Sequence, residues 1–264
     1  FFIKWISILK NHIDFDKEIK IICEIGGGYG ALTEKLLMFH TCKVIMIDLE
    51  LTNQLSYYYL KQNFPSLKIK TFNSENLKKL DYELLNSFDV IILTPDILID
   101  EKIKIDLFVN SRSFAEMEYE SIQDYFELIQ NNLRDNGFFL NINRYIKRSV
   151  GYNIFFHRYP YNLYWKEIFS EKAWEQDKIH FLLTQKINFK NINFLNTIKK
   201  IKEITKIQKK KDFIEIKKNM PKNIFSKYIL LIIEIIFNFL EVIFPYKMYI
   251  FLSRFKYTIM AKKK

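Results

Sequence analysis

Cysteine, histidine, proline and glycine are all scarce in this chain of 264 residues, at two, four, five and six copies. Two cysteines, Cys23 and Cys42, are too few for a disulfide framework or a zinc site, so a reducing, cytoplasmic compartment is expected. Cys23 falls inside an apolar strand pattern and reads as a small buried residue. Histidine shows no metal-binding spacing, and Asp96 and Asp100 are i,i+4 carboxylates with no supporting ligands, which disfavours a metal-dependent reaction. No internal repeat and no cleavable signal pattern are visible. The chain opens Phe1-Phe2 rather than on methionine, so a preceding segment is expected.

The few glycines are concentrated, four of the six lying between Gly26 and Gly30. They follow a β-branched run, Ile21-Ile-Cys-Glu-Ile25, and precede a helical pattern over about 30–40. A second apolar run, Val44-Ile-Met-Ile, then ends in Asp48. Parallel α/β sheets that bind an adenosine-containing cofactor at the carboxyl ends of their first two strands are built this way. Gly26, Gly28 and Gly30 let the backbone turn beside a ligand, and Asp48, about 20 residues on, can accept both ribose hydroxyls.

Two cofactors compete for this loop. Gly26-x-Gly28-x-x-Ala31 fits the dinucleotide fingerprint, in which a helix N-terminus faces a pyrophosphate. Glu24-x-Gly26-x-Gly28-x-Gly30 resembles the first motif of class I S-adenosylmethionine-dependent methyltransferases. Glu24 separates them, because a carboxylate repels a pyrophosphate but suits the cationic methionine end of S-adenosylmethionine. A turn that binds nothing is the bland alternative, since short glycine motifs recur by chance.

Beyond the loop the pattern alternates. A helix is expected over Thr52–Asn63, β-like runs at 67–72 and 89–94, a strand at 105–110, a helix over Ser121–Leu133 and a strand from Gly137 to Asn143. This alternation implies a doubly wound, mostly parallel Rossmann-like sheet. Residues 144–185 are aromatic-rich and take no clear assignment.

The next polar cluster is Asn110-Ser-Arg-Ser-Phe-Ala-Glu-Met117, directly after a strand on the edge that carries the glycine turn. Glu116 is the candidate general base and Ser113 a candidate to orient a hydroxyl; helix capping and an ion pair with Arg112 are the structural alternatives. Asn110 reads as a ligand-positioning amide, and Asp96, which closes the run 89–94 at the same edge, is counted with the cofactor residues. His157, in Phe155-Phe-His-Arg-Tyr-Pro160, is the third catalytic candidate, against an ordinary core histidine.

Together with Tyr57-Tyr-Tyr-Leu-Lys-Gln-Asn-Phe-Pro65 and Gly137-Phe-Phe-Leu-Asn-Ile-Asn-Arg144, this block resembles the bacterial sugar O-methyltransferase family, over about residues 20–185. Asp48-Leu49-Glu50 stands where that family has Asp-Leu-Pro. The resemblance implies a class I methyltransferase fold, S-adenosylmethionine as cofactor and a saccharide hydroxyl as acceptor, in a surface glycan or its nucleotide- or lipid-linked precursor. The alternatives are a nicotinamide-dependent sugar oxidoreductase, and a non-catalytic cofactor-binding scaffold in a membrane glycan-assembly complex.

Charge divides the chain. Residues 186–264 carry 19 basic and 5 acidic residues, a net of +14, while residues 1–185 carry 22 and 25, a net of −3. The basicity therefore belongs to the tail and not to the cofactor loop, which argues against nucleic acid as the substrate. Three units are expected: a methyltransferase domain over 1–185, a lysine-rich helix or linker over 186–221, and a basic amphipathic helical segment over 222–264. In the last, Lys227, Glu234, Asn238 and Glu241 fall on one helical face, unlike a bilayer span. Two readings stay open for it: peripheral attachment at the inner face of the plasma membrane, or packing against the domain or a second subunit.

Overall fold

The computed structural model describes residues 2–173 and 176–218, with Met248 and Ile250 beyond them. The amphipathic segment expected over 222–264 otherwise lies outside the described residues. The chain runs α1 (Phe2–His12), α2 (Phe15–Glu18), β1 (Ile21–Ile25), α3 (Ala31–Phe39), β2 (Lys43–Ile47), α4 (Glu50–Asn63) and β3 (Ile69–Phe72). It continues through β4 (Lys79–Leu80), α5 (Tyr82–Ser87), β5 (Val90–Leu93), β6 (Leu98–Ile99), β7 (Ile105–Ser111) and α6 (Tyr119–Asn132). Last come β8 (Leu133–Arg144), β9 (Ile146–Arg148), β10 (Asn153–Phe155), β11 (Trp165–Lys172), β12 (Ile179–Lys186) and α7 (Phe194–Lys218). Short 3-10 turns cover Phe114–Glu116 and Phe156–Arg158.

Eight strands form one sheet in the order β11-β12-β8-β7-β1-β2-β5-β3. Every neighbouring pair from β3 to β8 is parallel, and β12 runs antiparallel to both β8 and β11. This is a mostly parallel, Rossmann-like sheet. From β1 the chain winds one way to β2 and later the other way to β7, so a topological switch point falls between β1 and β7. Open α/β sheets bind ligands there.

The strands are apolar on both faces because helices cover both. Cys23, Ile25 and Phe108 face a core that includes Ile122, Phe126 and Ile129 of α6. Ile22, Leu107 and Val109 face the opposite core, with Trp5, Ile6 and Leu9 of α1 and Leu32 and Leu36 of α3. The period-2 alternation along each strand divides these sets. Along α7, Phe194, Thr197, Ile201, Thr205 and Gln208 are buried at helical spacing, and Phe194 and Ile201 join the first core.

Several local expectations change. Ahead of β1, residues 2–18 form two helices, α1 and α2. The strand expected from Gly137 begins at Leu133, which pairs with Ile105 ahead of a register shift. Residues 144–185, unassigned from sequence, supply the antiparallel hairpin β11–β12 that closes one edge of the sheet. The connection from β5 to β7 holds only the two-residue β6 and no helix.

Candidate cofactor-binding cleft

The chain leaves β1 at Gly26 (φ 70°), whose N–H donates to the Ile47 carbonyl at 2.7 Å. A Cβ at Gly26 would lie 2.1 Å from Ser113 Oγ, so the loop after β1 and the loop after β7 touch here and leave room only for glycine. Gly28 (φ 57°) faces open space, and its N–H donates to Asp48 Oδ2 at 2.8 Å. The other Asp48 oxygen accepts the Leu49 N–H at 2.7 Å. Asn53 steadies the same corner, its amide donating to the carbonyls of Asp48 at 2.8 Å and Leu93 at 2.9 Å. Gly30 caps α3.

Glu24 lies beneath this turn at 3% exposure. Its Oε2 accepts the Thr33 hydroxyl proton at 2.5 Å. Burial pushes its carboxyl up from 4.5 to about 7, with the Thr33 bond working in the opposite direction. Glu24 lines a recess of about 200 Å³ together with Phe2 and Trp5 of α1, Tyr29 and Arg112. The Arg112 guanidinium stands over the Trp5 ring at 5.6 Å, on a left-handed backbone (φ 65°) held by its N–H donating to the Ile142 carbonyl.

The recess adjoins a cleft of about 1020 Å³ that holds Gly26, Gly28 and Asp48 at one end and runs between Ile97–Ile99 and α6. It occupies the side of the sheet where the β5–β7 connection has no helix. Besides Asp48, its walls carry Glu101, Glu116, Asp124 and Glu127, with Arg112 the one cation among the described residues that line it. Glu116 is half-exposed and ion-paired with Lys147 of β9.

Beneath the mouth runs a buried amide chain. Asn110 Nδ2 donates to Ser113 Oγ at 2.6 Å and to the Ile25 carbonyl at 3.0 Å. Its Oδ1 accepts from Asn143 Nδ2 at 2.7 Å, and the same amide nitrogen of Asn143 donates to Asn141 Oδ1 at 2.7 Å. Asn141 reaches the Tyr161 hydroxyl at 3.0 Å. Three asparagines without solvent exposure have thus spent their amides on fixing the loop 111–117.

The structure therefore gathers Glu24, Gly26, Gly28, Gly30, Asp48, Ser113 and Glu116 at one sheet edge. Asn110 is there too but braces the loop from below, and the Ser113 hydroxyl donates to the Ile25 carbonyl at 3.3 Å. Asp96 does not line the cleft, although Pro95 and Ile97 do; the Ser74 hydroxyl beside it holds its carboxyl below the usual value. His157 lies elsewhere, in a separate cavity against α7. His180 is buried between the Tyr145 hydroxyl and Ser170 Oγ, each at 3.0 Å, and is pushed down to about 3 by burial.

Thr33, Asn53, Trp5, Tyr125 and Lys147 were not singled out from the sequence. Thr33, one helical turn past the glycines, and Asn53, five residues past Asp48, had a weak local signal; Trp5, Tyr125 and Lys147 had none, because they come from elements distant in sequence from the glycine turn.

No family model matches this chain, and no curated protein does. Among solved structures it is similar to the mitomycin 7-O-methyltransferase MmcR, at 10% identity and a TM-score of 0.44, over 67% of this chain and 52% of that one. The pyocyanin biosynthetic protein PhzM gives 12% identity and 0.40, over 67% and 53%. The methyltransferase yhhF from Escherichia coli gives 11% and 0.43, over 70% and 82%. The chain thus spans about half the length of the first two.

Proposed function

We propose that this chain is an S-adenosylmethionine-dependent O-methyltransferase acting on a sugar hydroxyl, in a surface glycan or its precursor. The observation that carries this reading is Glu24, a carboxylate buried under a glycine turn. A pyrophosphate at this turn would meet that negative charge at close range, whereas a cationic ligand relieves its desolvation. Asp48 keeps lone pairs for ribose hydroxyls after accepting the Gly28 and Leu49 N–H groups.

When bound, S-adenosylmethionine supplies a methyl group made electrophilic by its sulfonium. The chain has to align an acceptor hydroxyl and take its proton. Glu116 lines the cleft near Ser113 and is the carboxylate suited to that step, with Lys147 of β9 as its ion-pair partner. A well-placed general base contributes about 10²–10⁴-fold. The five carboxylates of the cleft suit a neutral or amine-bearing polyol and repel phosphate, which favours an unphosphorylated sugar over a nucleotide- or lipid-diphosphate-linked one.

Calorimetric titration of the full chain with S-adenosylhomocysteine, and with NAD in parallel, tests the first claim. Micromolar binding of S-adenosylhomocysteine with no heat from NAD is expected; NAD binding alone overturns it. Methyl transfer from labelled S-adenosylmethionine into neutral, amino and phosphorylated sugars then tests the acceptor.

A further inference from the structure

A separate cavity, of about 400 Å³, shares no residue with the cleft or its recess. It lies between the turn Phe156–Arg158 and α7, walled by His157, Arg158, Ile198, Lys199, Lys202 and Glu203. His157 is 9% exposed, yet neither of its ring nitrogens has a hydrogen-bond partner. A buried imidazole in this state lacks a partner that its wall does not supply. The surrounding charge says what that partner is. Glu203 is the one acid among the described lining residues, and Lys206 already pairs with it at 2.8 Å. Lys199 and Lys202 form no ion pair among the described residues and stand on the same helix face, three positions apart.

We propose that this cavity binds an oxyanion of the phosphate class, as a soluble phosphate ester or as the headgroup of a phospholipid, with the His157 ring N–H and the ammonium groups of Lys199 and Lys202 as donors. A metal ion is disfavoured at the same imidazole, because Arg158, Lys199 and Lys202 would repel it. The histidine itself registers the field. It is pushed down to about 3, first by burial and then by Arg158 of its own turn and by Lys202, Lys206 and Lys209 of α7. Cations that oppose a proton on His157 attract an anion to it. A bound dianion reverses that field and raises the proton affinity of the ring, which gives a signal specific to this site.

The test uses the full chain and inorganic phosphate, with the ring resonances of His157 followed by NMR. Saturable shifts of His157 are expected. The K199E/K202E variant changes two exposed side chains, so it should fold normally and bind phosphate about tenfold more weakly or worse. A flotation assay on phosphatidylcholine vesicles, with and without one-third phosphatidylglycerol, separates the sources. Retention only on the anionic vesicles, lost in K199E/K202E and competed by phosphate, assigns a lipid headgroup; shifts with phosphate and no vesicle retention assign a soluble ester. The proposal is overturned if His157 responds to neither ligand, or if K199E/K202E binds both as the wild type does.

Discussion

The two cavities are opposites made by the same rule. Each holds one deeply buried ionisable side chain, and burial displaces each toward its neutral form: Glu24 upward to about 7, His157 downward to about 3. The surroundings differ. Glu24 adjoins a cleft lined by carboxylates, and His157 adjoins a helix rich in lysine. Their contributions to stability therefore run in opposite directions with pH. Glu24, raised from 4.5, stabilises fully below that value and loses the contribution as pH rises through about 7. His157, lowered from 6.5, stabilises above that value and loses the contribution as pH falls toward about 3. One fold thus keeps a site for positive charge and a site for negative charge apart, at the strand edge and on α7.

The largest expected effect breaks the cleft side alone. Gly26→Ala places a methyl group where Ser113 Oγ stands, at a backbone angle alanine resists. Overpacking and strain together should destabilise the chain by about 3 kcal/mol or more and abolish S-adenosylhomocysteine binding. Thermal melts and calorimetry read both. An unchanged melting temperature would mean that the two loops are not in the contact described.

Glu24→Gln sharpens the electrostatic half of the comparison. The upward displacement of Glu24 corresponds to roughly 3 kcal/mol of stability lost between its ordinary and raised values. Without ligand, the variant should match the wild type near pH 4 and exceed it above about pH 8. It should also bind S-adenosylmethionine about 10- to 100-fold more weakly at the higher pH, having lost the carboxylate that meets the cation. Equal urea-melt stabilities at both pH values would show that Glu24 does not bear the burden its burial implies. Glu116→Gln acts on the reaction instead: turnover should fall about 10²-fold with S-adenosylhomocysteine affinity intact, and unchanged turnover would remove Glu116 from proton transfer.

The cleft side was legible in the sequence, and the basic side only as a composition. The Ile21–Asp48 stretch is local: strand, turn, helix and strand follow one another, so spacing alone places Glu24, Gly28 and Asp48 at one edge. The Asn110–Asn141–Asn143 chain joins two strands of one sheet, and no spacing rule reveals which asparagines face one another. His157 looked like a candidate for the cleft because it sits in an aromatic-basic run. Its place is fixed instead by the turn Phe156–Arg158 packing on α7, a contact between segments about 40 residues apart in sequence. Lysine content over 186–221 announced a solvated helix face but not the histidine it covers. Asp96 shows the limit of edge placement, since the right strand end still leaves a side chain free to turn toward Ser74.

The smallest effect isolates the basic side. Lys202 is the largest α7 contribution to the lowering of His157, after burial and Arg158. Replacing it with glutamate turns a repelling charge into an attracting one on an exposed position, so the fold is kept while the ring accepts a proton more readily. Because the lowered histidine destabilises the chain as pH falls, Lys202→Glu should soften that loss, by about 1 kcal/mol near pH 4, and leave stability near pH 8 within about 0.5 kcal/mol of the wild type. His180, also lowered to about 3 by burial, contributes acid lability to both proteins and cancels in the difference. Paired urea melts at the two pH values read the result. A gain confined to low pH would show the α7 lysines acting on His157 through space, whereas no gain at low pH would mean that burial and Arg158 hold the ring neutral and that α7 brings no field into its cavity.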